Sequence, residues 1–588
     1  MNSTKPNTNR LLQIAPFVLL FLSGIFYLFY FTGYIFFYQE KSILFQLTFD
    51  YLNEHLKQPG GFLVYLGKFQ TTLYYFPLLG AVLIVLELCG IIYLLQKTGK
   101  SLTGRMFYFF PFFIGVVLFY MQTNYQYLAF NNLGILFQLA LFYRFTVIKK
   151  NEYLWVTVVL FPVIYYLFGS YSTLLLALFS IYLIQKKDWI KLPILFVCTG
   201  LFFFYGKEFL FFQTTSSLLK YPFTLQDIGG QFNVFMPAVL LIVVLPLFFQ
   251  IELKKISSLS LGRLRFVELT PFVLIVMLVV LVIPRIDKKN SHYFHVEKLF
   301  YEQKYDEVIR FNAQFPSTNI LTAFLNNLAL AETGHLSDSF FRFPQTPDGS
   351  TLFQKWELLG EVLRKGGYFY YSIGMNNEAL RWAYEYMVMR GLTPETLQML
   401  IKTELINSNF KMAEKYISVL KRSIFYRDCA ADFEKLLYDE SAINNHPKLG
   451  VKKALKPKKD FFVLSDDPLT NLDFIIKSDS TNIFALEYKL AWLMLQKDMQ
   501  GIVDLLPILE KAGYQQVPQN IEEVVVSYKL LKVGEMPELK KLCIRTETEQ
   551  RFQQFYKIFQ QNQSNKQQAQ RALANDFAGT YWYYVFFN

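Results

Sequence analysis

Residues 266–289, FVELTPFVLIVMLVVLVIPRIDKK, constrain this chain more than any other stretch. They hold its last long apolar run, which Pro284 breaks and Arg285, Asp287, Lys288 and Lys289 close. Crossing a hydrocarbon core takes roughly 20 apolar residues. Before this segment the sequence reads as a series of such spans. After it no run is long and apolar enough to span again. About half of the 588 residues must therefore fold wherever the segment delivers them.

The composition fits a polytopic membrane protein. With 62 Phe and 39 Tyr, the chain is too apolar for a soluble protein of this size. A net charge of +12 raises the question of a nucleic-acid surface, and the location of the charge excludes one. Residues 1–289 carry 23 Lys/Arg against 11 Asp/Glu, whereas residues 290–588 carry 35 of each. The excess lies wholly in the apolar half, where loop asymmetry explains it.

Nine spans are expected, at 11–37, 72–95, 106–121, 128–148, 153–169, 171–185, 190–206, 231–250 and 266–284. The first run is far longer than the apolar core of a cleaved signal peptide. In this scheme the inner loops hold 15 basic residues and the outer loops five, Lys41, Lys57, Lys68, Lys207 and Lys220. That bias places the N-terminus in the cytoplasm, and an odd number of spans places residues 290–588 outside it. Two outer loops are long, 38–71 and 207–230. ILFQLTFDYLNEHL in the first mixes apolar and charged positions as an interfacial helix does.

Polar residues inside the spans are few. Glu87 lies well within the second span, and an intramembrane carboxylate marks a functional site unless a structural partner holds it. Arg144 in the fourth span is the candidate partner. Asn131 and Asn132, near the outer end of that span, line a polar cavity or bond between helices.

The second half reads as consecutive amphipathic helices. NEALRWA at 377–383 and KMAEKYI at 411–417 lie 34 residues apart, the tetratricopeptide period. YEQKYDEVIRF at 301–311 and QKDMQGIVDLLPILEKAGY at 496–514 are similar but fit no single register. His292 and His295 share a helix face without a third ligand, so no metal site is expected. The cysteines show no metal-like spacing. Cys89 and Cys198 fall in spans, while Cys429 and Cys543 either pair outside the cytoplasm or stand as separate buried thiols. The run KLGVKKALKPKK at 448–459 is expected as a solvated linker, with contact to anionic lipid as the alternative. The aromatic end, TYWYYVFFN, is expected to dock into its own domain or at a membrane interface.

The stretch EKSILFQLTFDYLNEHLKQPGGFLVYLGKFQTTLYYFPLLG resembles a family of bacterial polytopic membrane proteins of unknown function with a helical C-terminal half. The layout is also similar to that of C-type (GT-C) glycosyltransferases, which take sugars from polyprenyl carriers at the outer membrane face. That resemblance implies an acidic residue near the start of the first outer loop as base or metal ligand. Glu40 stands there, with Asp50 and Glu54 following, although no DxD-type pair accompanies them. It further implies cations for the lipid phosphate, which Lys207, Lys220 and Arg285 supply.

The expected fold is all-α. A nine-span membrane domain, 1–289, precedes an extracytoplasmic tetratricopeptide-like domain, 290–588. Two functions follow from this reading. One is glycosyl transfer from a polyprenyl-linked sugar at the outer face of a bacterial cytoplasmic membrane. The other is a non-catalytic scaffold whose helical domain binds envelope proteins. No nucleotide-binding or hydrolase motif appears in a fitting context.

Overall fold

The computed structural model describes residues 7–148, 152–223, 231–257, 261–356, 360–458, 461, 463–464, 467–539 and 542–587. The described residues are built from helices, with two isolated β-bridges and no strand. The chain forms two compact units. The first is Met1–Asp287 with Arg422–Phe425, and the second is Lys288–Lys421 with Tyr426–Asn588.

In the first unit, helix Pro77–Thr103 is the hub. Pro77 opens it where no N–H is needed, and Gly104, at φ 81°, closes it by donating its N–H to Lys100 O. Its 27 residues rise about 40 Å, more than the roughly 30 Å of a hydrocarbon core. Ile84, Val85, Leu88, Ile91, Ile92 and Leu95 are fully buried along it. The helices Asn7–Tyr30, Phe109–Gln122, Phe130–Ile148 and Gln231–Ser257 pack around it. Glycines allow close approach: at Gly24 a Cβ would lie 3.0 Å from both Val85 and Phe119, and at Gly115 one would lie 2.4 Å from Ile92.

The directions of these helices alternate. Gly24 meets Val85 and Phe119, and Phe17 meets Phe112, so Asn7–Tyr30 and Phe109–Gln122 run together. Ser101 Oγ donates to Thr146 O, which puts the ends of Pro77–Thr103 and Phe130–Ile148 at one level. Phe130 meets Tyr171, Phe142 meets Phe179 and Phe145 meets Tyr182, so Ser172–Gln185 runs parallel to Phe130–Ile148.

Four described runs are long and apolar enough to cross a membrane: Gln13–Tyr30, Pro77–Thr103, Val159–Gln185 and Lys191–Phe211. A fifth, Leu269–Arg285, qualifies only together with the helix after it. This is fewer than the nine spans expected, and the helices differ from those spans in extent. The first expected span stops at Tyr30, and a separate helix, Tyr34–Lys41, follows. Other segments are short: the 14 residues of Phe109–Gln122 rise only about 21 Å. The run Val159–Gln185 is helical by composition and length, yet it is not one straight rod. Ser172 Oγ donates to Ile164 O at 3.1 Å, a separation of about 12 Å of rise in a continuous helix. The chain therefore reverses at Gly169, which takes φ 56°.

Both long loops dock on this reversal. Gly60 N–H donates to Tyr166 O, and Tyr166 OH to Leu56 O at 2.5 Å. From the other loop, Tyr165 OH donates to Leu218 O at 2.6 Å, and Ser170 N–H to Tyr221 O. In the first loop a helix, Phe49–Leu56, capped by Thr48, falls within the stretch expected to form one, and a second, Gly61–Thr72, follows. Residues 224–230 of the other loop lie outside the described residues.

In the second unit one turn recurs. At Gln303, Gly334, Gly374, Ser408 and Lys497 the backbone takes φ between 58° and 87°. The next residue then donates its N–H to the carbonyl five positions back, as Lys304 does to Leu299 and Asn409 to Glu404. This Schellman-type closure ends one helix and launches the next. Five residues after the turn, Val308, Ala379, Ala413 and Ile502 are all fully buried. The four segments singled out in the sequence thus share one hairpin geometry, though not one spacing.

Charged groups are buried here as well. Lys365 bridges Glu297 at 2.9 Å and Glu395 at 2.6 Å, and Arg364 reaches Glu297 at 2.5 Å. The basic run is not the solvated linker expected, because Lys452 is only 4% exposed. It lies over the Phe484 ring and donates to Glu332 Oε1 and Ser372 O. The aromatic end folds into its own unit. Trp582 Nε1 donates to Glu523 O at 2.8 Å, and Tyr584 OH to Leu495 O at 3.0 Å. None of the four cysteines forms a disulfide. His292 hydrogen-bonds Asn312 at 3.1 Å, and both His292 and His295 lie against Phe311.

Candidate functional site

The first unit holds one concentrated polar site, centred on Glu87. Helix Pro77–Thr103 carries this carboxyl to a position only 8% exposed, facing the amides of Gln70 and Asn132. Tyr127 OH donates to Asn132 Oδ1 at 3.2 Å, and Asn132 Nδ2 to Gln122 Oε1 at 3.2 Å. Tyr171 OH donates to Asn131 Oδ1 at 2.6 Å. Gln70 Nε2 donates to Tyr74 OH, and Gln39 Nε2 to the carbonyls of Tyr125 and Tyr127. All these side chains except Tyr125, which contributes its backbone carbonyl, are more than nine-tenths buried. They come from helices Tyr34–Lys41, Gly61–Thr72, Pro77–Thr103, Phe109–Gln122 and Phe130–Ile148 and from the turns beside them.

The described residues do not close the network. Glu87 Oε2, Gln39 Oε1 and Gln122 Nε2 are buried without a hydrogen-bond partner among them. An unsatisfied buried polar group costs about 1–3 kcal/mol. Ordered water or a small polar group is the ordinary remedy in a site lined this way. The arrangement joins five helices through hydrogen bonds.

Glu87, Asn131 and Asn132 are the sequence candidates that the fold brings together. Arg144 is not the partner of Glu87. It is exposed, and it sits 12 residues, or about 18 Å of rise, beyond the Asn132 that faces the carboxyl. Glu40 is buried within the first unit. It is 4% exposed and lies 3.6 Å from Lys41 on the same short helix. Asp50 and Glu54 are exposed on helix Phe49–Leu56, where Glu54 pairs with Lys57 at 2.5 Å.

The three expected phosphate-binding cations stand on separate elements. Lys207 pairs with Glu208 at 3.0 Å, and Lys220 is exposed at the end of helix Thr215–Lys220. The Arg285 guanidinium lies over the Tyr120 ring at 5.1 Å and donates to Thr123 Oγ1 at 3.4 Å. Beside it runs an apolar groove of about 360 Å3. Tyr27, Phe119, Leu278 and Val282 line it, and Ile283 and Ile286 flank Arg285 at its end.

Sequence reasoning missed Gln39, Gln70 and Gln122. The available signal was a neutral amide inside each of three largely apolar helices, which is uncommon enough in membrane segments to ask for partners. Among the described residues no group of three or more metal-ligating side chains gathers.

Fold and site together define an all-helical protein in which membrane-length apolar helices enclose a polar centre and a second helical unit follows. The chain belongs to a family of unknown function, DUF6057, whose model matches residues 9–588. No curated protein and no solved structure matches it.

Proposed function

We propose that this chain is a multi-pass protein of a bacterial cytoplasmic membrane that presents its second unit outside the cytoplasm as a scaffold for a protein partner. Nine crossings fit the alternating helix directions and the inner-loop bias in basic residues. One observation carries the scaffold reading: the recurrence of a single helix–turn–helix geometry, with a small or aliphatic residue buried five positions after the turns at Gln303, Gly374, Ser408 and Lys497. Tetratricopeptide-like arrays are built this way, and they bind partners along exposed helix faces. Helix Asn376–Arg390 offers such a face, with Tyr384, Val388 and Met389 exposed at 47, 62 and 48%.

A photo-crosslinking residue at Val388 in living cells tests this reading. The expected result is a discrete adduct that the same residue at Lys435 does not give. Equal or absent adducts at the two positions refute the scaffold. A C-terminal alkaline phosphatase fusion should be active, and activity of a cytoplasmic reporter there instead refutes the topology.

Glycosyl transfer from a polyprenyl carrier is the second reading. The apolar groove that ends beside Arg285 favours it, because such a groove suits a lipid chain whose phosphate lies at the guanidinium. The buried position of Glu40 beside Lys41 weighs against that residue as the base, which must reach the attacking hydroxyl. Arg285→Gln decides: loss of an envelope glycan with normal expression supports transfer, and an unchanged glycan profile removes it.

A further inference from the structure

We propose that a small cleft in the second unit, lined on one side by Lys402, is a binding site for a carboxylate group. The proposal rests on the scaffold reading and names the chemistry that the partner presents. Tyr301, Tyr305, Tyr368, Tyr371 and Gln398 line the cleft with Lys402, together with the carboxylates of Glu332 and Glu395. Its volume is about 30 Å3. That space holds one or two waters or a single carboxylate end, but not a sugar or nucleotide.

The charges in the cleft are unevenly matched. Glu332 is taken by Lys452 at 2.8 Å, and Glu395 by Lys365 at 2.6 Å. Lys402 makes no ion pair with a described residue. Lys448 reaches the cleft by donating to Gln303 Oε1, and its ion-pair shell likewise contains no described carboxylate. Burial pushes the Lys402 ammonium below its ordinary value, Cys429 opposes that shift, and Lys448 adds repulsion. The carboxylates of Glu395 and Glu332 push it back up by smaller amounts, and each is itself paired with another lysine. His446 brings no negative charge either, since its Nδ1 accepts the backbone N–H groups of Lys448 and Leu449.

A desolvated ammonium beside a second cation is costly unless an anion joins them. The groups around them suit a carboxylate. Tyr hydroxyls and the Gln398 amide, which donates to Tyr301 OH at 2.6 Å, can donate to its second oxygen. The aromatic walls suit the apolar stem that carries it.

Competitive acetylation of the full-length protein in detergent, read by mass spectrometry at each lysine, tests the site without any variant. Free glutarate is one probe. The other is a peptide blocked at both ends with a single Glu. Binding raises the amine pKa, so the Lys402 labelling rate should fall about tenfold for each unit of rise. Exposed Lys421 and Lys529 should not respond. Protection by the peptide at lower concentration than glutarate assigns the site to a protein partner's side chain. Protection by glutarate alone assigns it to a small free carboxylate. If neither probe slows Lys402 labelling relative to Lys421, the cleft holds only water and the proposal is overturned. Protection at Lys402 with no adduct at Val388 would keep the site and remove the scaffold.

Discussion

Lys365→Met should destabilise the second unit more than almost any other single change. Lys365 is 1% exposed and joins two carboxylates that are themselves buried, Glu297 at 2.9 Å and Glu395 at 2.6 Å. Without it, Glu395 keeps the Tyr368 hydroxyl and, at 3.7 Å, the Arg364 guanidinium, while Glu297 keeps the same guanidinium at 2.5 Å. One cation then faces three acids, Glu361 included. Breaking a buried pair from one side costs about 3–5 kcal/mol. The exposed pair Lys421–Glu434 provides the comparison, and its loss costs about 1 kcal/mol or less. Hydrogen exchange on the full-length protein reads the difference at helices Glu361–Ser372 and Pro394–Ile406. Lys365→Met should reduce protection there about a hundredfold or more, at about 1.4 kcal/mol per factor of ten. Adding Glu395→Gln to Lys365→Met should restore part of the loss, because it removes the uncompensated charge. If Lys365→Met reduces protection no more than Lys421→Met, the charges are not buried as described and the argument fails.

Three further outcomes follow from the same unit. Burial pushes the Glu487 carboxyl up to about 7, so the folded chain holds a proton that the unfolded chain releases near 4.5. Stability should therefore fall by about 3 kcal/mol as pH rises from 4.5 to 7. Glu487→Gln should remove that slope in thermal unfolding, and an unchanged slope contradicts the assignment. Trp582→Ala should cost about 3–5 kcal/mol and loosen the helices around Glu523, measured by the same exchange experiment. Gly374→Ala forces a Cβ to within 2.5 Å of Leu455 O at φ 87°, so protection near the Gly374 turn should drop by more than tenfold.

The all-helical build was legible because apolar runs and amphipathic periods are local properties. The number of membrane-length helices was less so. Hydropathy does not report where a helix reverses, and the turn at Gly169 depends on a positive φ and on hydrogen bonds from Tyr166 and Ser170 to residues far away in sequence. The hairpin repeats were half legible. NEALRWA and KMAEKYI aligned because Gly374 and Ser408 sit 34 residues apart. The others did not, because the turn demands a backbone shape rather than a residue type. Gln303 and Lys497 adopt it as Gly374 does, at a modest steric cost that the five-back hydrogen bond offsets.

The polar centre was legible only at its charged member. Glu87 stands out in IVLELCG, and the same rule that flags it suggests a cation as partner. Arg144 was the nearest in type, but helix geometry puts it about three turns too deep. What surrounds Glu87 instead are amides and phenols, each unremarkable in its own helix and contributed by segments up to 132 positions apart, from Gln39 to Tyr171. A hydrogen-bonded network of this kind leaves no periodic trace. Its members become partners only once five helices are packed, so the chemistry of the site is a property of the fold and not of any one segment.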